Sequence, residues 1–312
     1  MAKPNTYDTA KEIFLADLAR NLFPNNQFIL QSRDWSAHTK GKQVNWSESG
    51  GKPGVIINRT TTALTPAERT DIARYYEIDE YQSNPTKVAW TDEMVVNYNK
   101  RQDILSDHQS QTEVDIVMRI LYNWVSGASG IVRTSGGDRP AQSSGTASGK
   151  RKALTADDFA DALSVLERQD LNGGQLFALL PTTLLNDVRK IPEFKSKDTY
   201  DTQMLVTGAI GTIYGIQIFK RSSGIIYNNA TKPVAQNPKA DNTFSFRTPA
   251  ATDNESVLIW NNDYVTRSLS PDSLVNMVDV HGGTEFSLTT IAGGSQFKKG
   301  GEGIVSIVEA AA

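Results

Sequence analysis

The chain has 312 residues, 38% hydrophobic and 21% charged, which is enough apolar material for a substantial core and rules out a wholly disordered chain. A net charge of −3 argues against a protein that grips nucleic acid over its whole surface, while leaving room for a local basic patch. The absence of cysteine removes disulfides, thiolate zinc sites and thiol catalysis together, and the three histidines, His38, His108 and His281, lie too far apart in sequence to form a metal pair on one helix or strand.

The N-terminal stretch "MAKPNTYDTAKEIFLADLARNLF" has no long apolar run, so neither a signal peptide nor a membrane anchor is expected there. Residues 9–22 predict a short amphipathic helix. Ala10, Phe14, Leu18 and Leu22 recur every four residues, and Pro24 stops the pattern. Such a helix must dock its apolar face, either on its own domain or on a neighbouring copy. Between residues 27 and 90, "QFILQS", "KQVNWSES", "GVIINRTTT" and "ARYYEIDEY" predict strands, interrupted by the turn signal "SGGKPG". Many of these side chains are polar, which predicts a long two-stranded excursion with little core of its own, suited to lying across another subunit. Trp35 and Trp46 sit in this polar region, either as anchors against another chain or as ordinary local packing.

Residues 91–126 predict a long helix, with Thr91 and Asp92 as caps and Val114, Val117, Met118, Leu121, Trp124 and Val125 on one face. At 1.5 Å per residue it would run roughly 50 Å, long enough to serve as a backbone element. Residues 127–152 read as a loop with a short strand at Ile131–Thr134, ending in the basic cluster Lys150, Arg151 and Lys152. That cluster is open to two readings, a solvated loop end or a contact with nucleic-acid phosphates. Thr155 and Asp158 then have the spacing of a capping box, with Leu154 and Phe159 placed as a hydrophobic staple for a helix that buries Phe159, Ala162, Leu163 and Leu166. "GGQLFALLP" predicts a buried strand and "TTLLNDVRKI" a short helix. Strands are further expected at Ile213–Lys220, Ser256–Trp260, Tyr264–Leu269, Glu285–Ile291 and Ile304–Val308, with 228–255 as a surface excursion. The fold class is therefore α+β, without repeated βαβ units.

Chemical motifs are missing. The chain contains no phosphate-binding G-x-x-x-x-G-K-[ST], no H-E-x-x-H and no G-x-S-x-G. Asp157, Asp158 and Asp161 occupy the first turns of a helix, where its dipole favours acids. In "TGAIGTIYGIQIFKRSSG" the glycine spacing is not that of a dinucleotide loop, and a strand rather than a helix comes next, so no helix N-terminus is offered to a phosphate. Gly211 and Gly215 instead shape a turn into a buried strand. No catalytic residue, cofactor or metal is expected.

The order of elements in "LTADDFADALSVLERQDLNGGQLFALLPTTLLNDVRK", followed by "GTIYGIQIFKRSS", resembles a block of the major capsid proteins of tailed double-stranded DNA bacteriophages, whose fold is the Hong Kong 97 type. "RTDIARYYEIDEYQSNPTKVAWTDEMVVNYNKRQDIL" is similar to that family's path from extended loop to spine helix, and "GTEFSLTTIAGGSQFKKGGEGIVSIVEAA" to its closing strands. The resemblance implies an N-terminal arm (1–34), an extended loop (35–90), a peripheral domain with a spine helix (91–170, helix 91–126), an axial domain (171–280) and return strands completing the peripheral domain (281–312). It implies a structural protein that self-assembles as pentamers and hexamers into an icosahedral shell around double-stranded DNA. Phe14, Leu18, Trp46, Val55 and Ile57 would then be inter-subunit contacts, and Lys150, Arg151 and Lys152 would face DNA. Implied partners are other copies of the chain, a separate scaffolding protein, a portal and a decoration protein; the location is the virion, after assembly in the host cytoplasm. Lys40, Lys42 and Lys52 lie in the extended loop, but no partner asparagine is identifiable, so the covalent cross-linking of some members is not carried over. Alternatives are an encapsulin-like bacterial compartment shell and an enzyme with an unrecognised site.

Overall fold

Two large sheets and one long helix carry the fold in a computed structural model that describes residues 26–48, 55, 57–58, 71–89, 100–128, 130–169, 171, 173–192, 194–196, 209–239, 243–269, 274–298 and 300–312. The first part of the chain contributes β1 (Arg33–Asp34), β2 (Thr39–Lys40), β3 (Gln43–Glu48), β4 (Ile72–Glu77), β5 (Asp79–Gln82), β6 (Thr86–Ala89) and helix α1 (Lys100–Val125). The middle contributes β7 (Ile131–Arg133), β8 (Asp138–Pro140), β9 (Lys150–Lys152), α2 (Ala156–Glu167), β10 (Leu176–Pro181), α3 (Leu185–Arg189), β11 (Lys195–Ser196), β12 (Gly211–Ile213) and β13 (Ile216–Arg221). The last part contributes β14 (Ser256–Asn261), β15 (Val265–Leu269), β16 (Leu274–Val280), β17 (Gly283–Gln296) and β18 (Ile304–Val308).

A seven-stranded sheet runs in the order β11-β12-β13-β10-β14-β18-β7. Its central strands are apolar at nearly every position because both faces are covered, as expected for a sheet packed on two sides. The period of two sorts them. Phe177, Leu179, Phe219, Leu258, Trp260, Ile304 and Val308 face one core, with α1. Ala178, Leu180, Ile218, Val257, Ile259, Val305 and Ile307 face the other, with Phe159 and Leu166 of α2 and Val188 of α3. The start of α2 is set as the sequence predicts: the Thr155 N–H donates to Asp158 Oδ2 at 2.8 Å, and Leu154 and Phe159 are both buried.

The six-stranded sheet is organised by β17, which pairs with β15 and β16 and also with β5 and β6. Helix α1 lies between the two sheets, packed on β17, β5 and β18. This placement explains why Ile116 and Ile120 are buried along with Val117, Leu121, Trp124 and Val125; a helix with sheets on two sides needs a wider apolar face than one stripe. The helix approaches β17 so closely that a Cβ on Gly294 would stand 2.5 Å from Thr266 O and 3.0 Å from Ile120 Cγ2, so only glycine fits. At the junction Trp124 and Trp260, both fully buried, are 5.7 Å apart by ring centroid, with Phe28, Phe177 and Phe219 around them. Each indole is anchored: Trp124 Nε1 donates to Thr266 O and Trp260 Nε1 to Gln31 O, both at 2.9 Å.

Several sequence expectations need correcting. Gln27–Leu30 is a 3₁₀ turn rather than a strand, because Phe28 and Ile29 are adjacent and both buried, and a strand would send them to opposite faces. "ARYYEIDEY" is two strands, divided at buried Ile78, whose N–H donates to Lys42 O; β4 serves a small sheet with β2 and β3, and β5 serves β17. Ile213–Lys220 is a hairpin, not one strand. The 127–152 region, expected to be mostly loop, contains β7, β8 and β9. Strand β16 has no counterpart among the expected strands, since Asn276 and Asp279 break its apolar residues into two pairs and a single valine, giving neither alternation nor a continuous run. Strand β17 runs from Gly283 to Gln296, beyond Glu285–Ile291 chiefly at its C-terminal end. The expected division at 170 and 280 is not the division of the sheets, because β15 and β16 pair with β17, whereas β7 and β18 belong to the seven-stranded sheet. The N-terminal helix at 9–22, the start of the long helix at 91–99 and Trp90 lie outside the described residues.

Candidate functional site

The polar excursion of the sequence is a three-stranded sheet, β2-β3-β4, with β3 and β4 in antiparallel register from Gln43↔Glu77 to Glu48↔Ile72. Its core is small: among the described residues it comprises Val44, Tyr76 and Ile78. Trp46 is half-buried: its ring stacks on Phe297 at 6.5 Å and meets Trp35 and Tyr76 edge-on at 5.4 and 5.7 Å. It therefore ties the excursion to the body of its own chain, while its indole N–H has no acceptor among the described residues. Ion pairs of Arg267 with Asp34 and of Lys42 with Glu80 lie at the root, while Arg74 with Glu48 ties β4 to β3 within the excursion.

Among the described residues of the excursion, four apolar side chains are exposed. Val55 is 87% exposed, Ile57 84%, Tyr75 63% and Ile72 46%. Isolated exposed apolar residues are ordinary on any surface, and Leu30, Tyr214, Val234, Phe244 and Val278 are exposed elsewhere, but the excursion carries four of them on little core of its own. Phe14 and Leu18 lie outside the described residues.

The basic triplet is strand β9, paired with β8, not a loose loop end. Strand alternation splits it. Lys150 is exposed and Lys152 pairs with Asp138 at 2.7 Å, but Arg151 turns inward, is 3% exposed and donates to the carbonyls of Ser148 and Lys150. A contact of all three side chains with phosphate is thereby corrected: Arg151 is committed to the interior.

The glycine-rich stretch forms the β12–β13 hairpin. Tyr214 (φ 47°) and Gly215 (φ 80°) are its two turn residues, the positive-φ pair that a two-residue hairpin requires. Gly211 is a buried strand residue opposite Ile218, so the turn belongs to Gly215 and Tyr214 rather than to Gly211.

A charged cluster that sequence reasoning missed lies under the C-terminal end of β18. Glu309, 1% exposed, and Glu255, 6% exposed, meet where the Glu255 N–H donates to Glu309 Oε2 at 2.9 Å. Arg139 pairs with Glu309 and stands 2.8 Å from Asp187. Thr183 donates its hydroxyl to Glu255. Burial, reinforced by the Glu309 charge, pushes the Glu255 carboxyl up to about 8, and burial also raises Glu309. The available signal was an acid at the end of each of two largely apolar strands, "ESVLIWN" and "IVSIVE". Among the described residues, no group of three or more His, Cys, Asp or Glu side chains is arranged to hold a metal ion, and no helix is long and apolar enough to cross a membrane.

No protein-family model and no curated protein sequence matches the chain. Solved structures do match it along nearly its whole length. The acid-stable capsid of Helicobacter pylori bacteriophage KHP30 superposes with a TM-score of 0.59 at 12% identity, covering 89% of this chain and 86% of that one. The capsid of a native GTA particle gives 0.58 at 11% identity, covering 96% and 91%. The virus-like particle from Pyrococcus furiosus gives 0.54 at 10% identity, covering 96% and 99%. The architecture is thus that of capsid proteins; more particularly, the chain has the Hong Kong 97-type fold that its order of elements resembles.

Proposed function

We propose that this chain is a major capsid protein of a tailed double-stranded DNA bacteriophage, a structural subunit and not a catalyst, which assembles with copies of itself as pentamers and hexamers into an icosahedral shell. The observation that carries the reading is the fold likeness to phage capsids over most of both chains. The exposed apolar residues of the excursion support it, since Val55, Ile57, Ile72 and Tyr75 are left for a neighbouring subunit to cover. Head-to-tail contacts of this kind close into rings when the rotation per subunit divides a circle. In this reading the excursion is an extended loop laid on the adjacent subunit, α1 is the spine, and a scaffolding protein, a portal and packaged DNA are partners in the host cytoplasm and the virion.

Expression of the full chain with the scaffolding protein encoded beside it, followed by electron microscopy, tests the proposal. Closed shells tens of nanometres wide are expected; monomers under every assembly condition overturn it. A compartment shell for a protein cargo is the second reading, favoured by the likeness to the virus-like particle, of which 99% is covered. Shells purified from the native source containing DNA support the first reading, and shells containing an enzyme support the second.

A further inference from the structure

The buried charged cluster beneath the end of β18 draws on five separated parts of the chain: Arg139 on β8, Arg151 on β9, Asp187 on α3, Glu255 before β14 and Glu309 after β18. The residues after Glu309 are also tied to β9. Lys152 N–H donates to Ala310 O at 2.9 Å, Ala312 N–H to Lys150 O at 3.2 Å, and Ala310 N–H to Thr134 Oγ1 at 3.0 Å. The C-terminal residues thus lie on the β8–β9 hairpin, and the charged cluster is the joint between that hairpin, the C-terminus and the large sheet.

We propose that this joint is a proton-held clasp: with Glu255 protonated the hairpin, the C-terminal residues and the start of β14 are locked together, and loss of that proton loosens them. Arg139 is shared by two acids, Asp187 and Glu309, on either side of it. Arg151 directs its hydrogen bonds at backbone carbonyls and assists Glu309 through space. Arg247, which lines the same cavity as Glu255, is paired with Asp253 at 2.9 Å. From α1 that cavity receives Val114 and Met118, which carry no charge. Glu255 has a hydroxyl donor, Thr183, and an acidic neighbour, Glu309, while Arg139 acts on it only through space and favours its charged form less than burial and Glu309 oppose it. Two buried carboxyls so placed resist ionising together, and Glu255, which lacks the direct ion pair that Glu309 makes with Arg139, keeps the proton. The cavity, about 250 Å³, gives water a route to that proton.

The sign is set by linkage. The folded chain holds the Glu255 proton more tightly than the unfolded chain, so the stabilisation is full below the ordinary glutamate range and is lost as pH rises through about 8. The clasp lies within one chain and stands whether or not the chain builds a shell.

Hydrogen exchange on the full-length protein tests it, with the amides of Lys152, Ala310 and Ala312 as probes and rates corrected for their intrinsic pH dependence. In the wild type, protection at these amides is expected to fall about a hundredfold between pH 5.5 and 8.5, by the linkage of one raised carboxyl. In Glu255→Gln, which keeps an acceptor for Thr183 but cannot ionise, protection should stay nearly level and exceed wild type at the higher pH. An equal fall in both proteins, or none in the wild type, overturns the clasp. If Glu255→Gln does not fold, the carbon-13 titration of the Glu255 carboxyl in the wild type decides. A midpoint well above the usual glutamate range supports the clasp, and one within that range overturns it.

Discussion

The seven-stranded sheet and the three-stranded sheet of the excursion are built from similar lengths of strand but solve opposite problems. In the large sheet every residue of β14 and β18 is buried, with α1 over one face and the shorter helices over the other. In the small sheet β3 and β4 each bury one residue, and Val55, Ile57, Ile72 and Tyr75 are exposed to solvent. A two- or three-stranded sheet with so little core is not independently stable and depends on its root at Trp35, Trp46 and Phe297. The contrast separates residues that make the chain fold from residues available for joining it to another.

Substitutions on either side of that division should have different consequences. The largest effect is expected for Trp260→Ala, which empties the junction of both sheets and α1; the loss should be about 3–5 kcal/mol in urea unfolding, and a loss below about 1 kcal/mol would dissolve the idea of a shared core. Gly215→Val comes next. A Cβ there meets nothing within 4 Å, so crowding is no part of its cost. The strain of a β-branched residue at φ 80° should destabilise the chain by about 1–3 kcal/mol, while Gly215→Asn, which tolerates that conformation, should lose far less. Equal losses for the two would mean that the backbone angle is not what selects glycine. The smallest change in stability belongs to Val55→Ser combined with Ile57→Ser, expected within about 0.5 kcal/mol of wild type by the same unfolding measurement. That variant should nevertheless yield few closed particles under the microscope, and normal shell formation would place the excursion's apolar residues outside the interface.

Legibility tracks the range of the interaction. The capping box at Thr155 and Asp158 and the strand Ile304–Val308 are plain in the sequence because their cues lie within a few residues of one another. Gly215 is legible as a turn former, but the hairpin it closes is not, because the two apolar runs beside it look like one. For Trp46 the sequence allows two roles, and its packing on Phe297 is visible only when residues 251 positions apart are brought together.

Local periodicity and capping chemistry suffice for the α+β class, the main helices and the buried strands, and the bare sequence also shows that familiar catalytic motifs are missing. Other features exist only in the folded chain: which strands share a sheet, that Arg151 turns inward while Lys150 does not, and that Glu255 and Glu309 stand side by side although 54 residues apart. Those outcomes depend on which surfaces exclude water from each other, a property of the folded chain as a whole that no window of neighbouring residues contains.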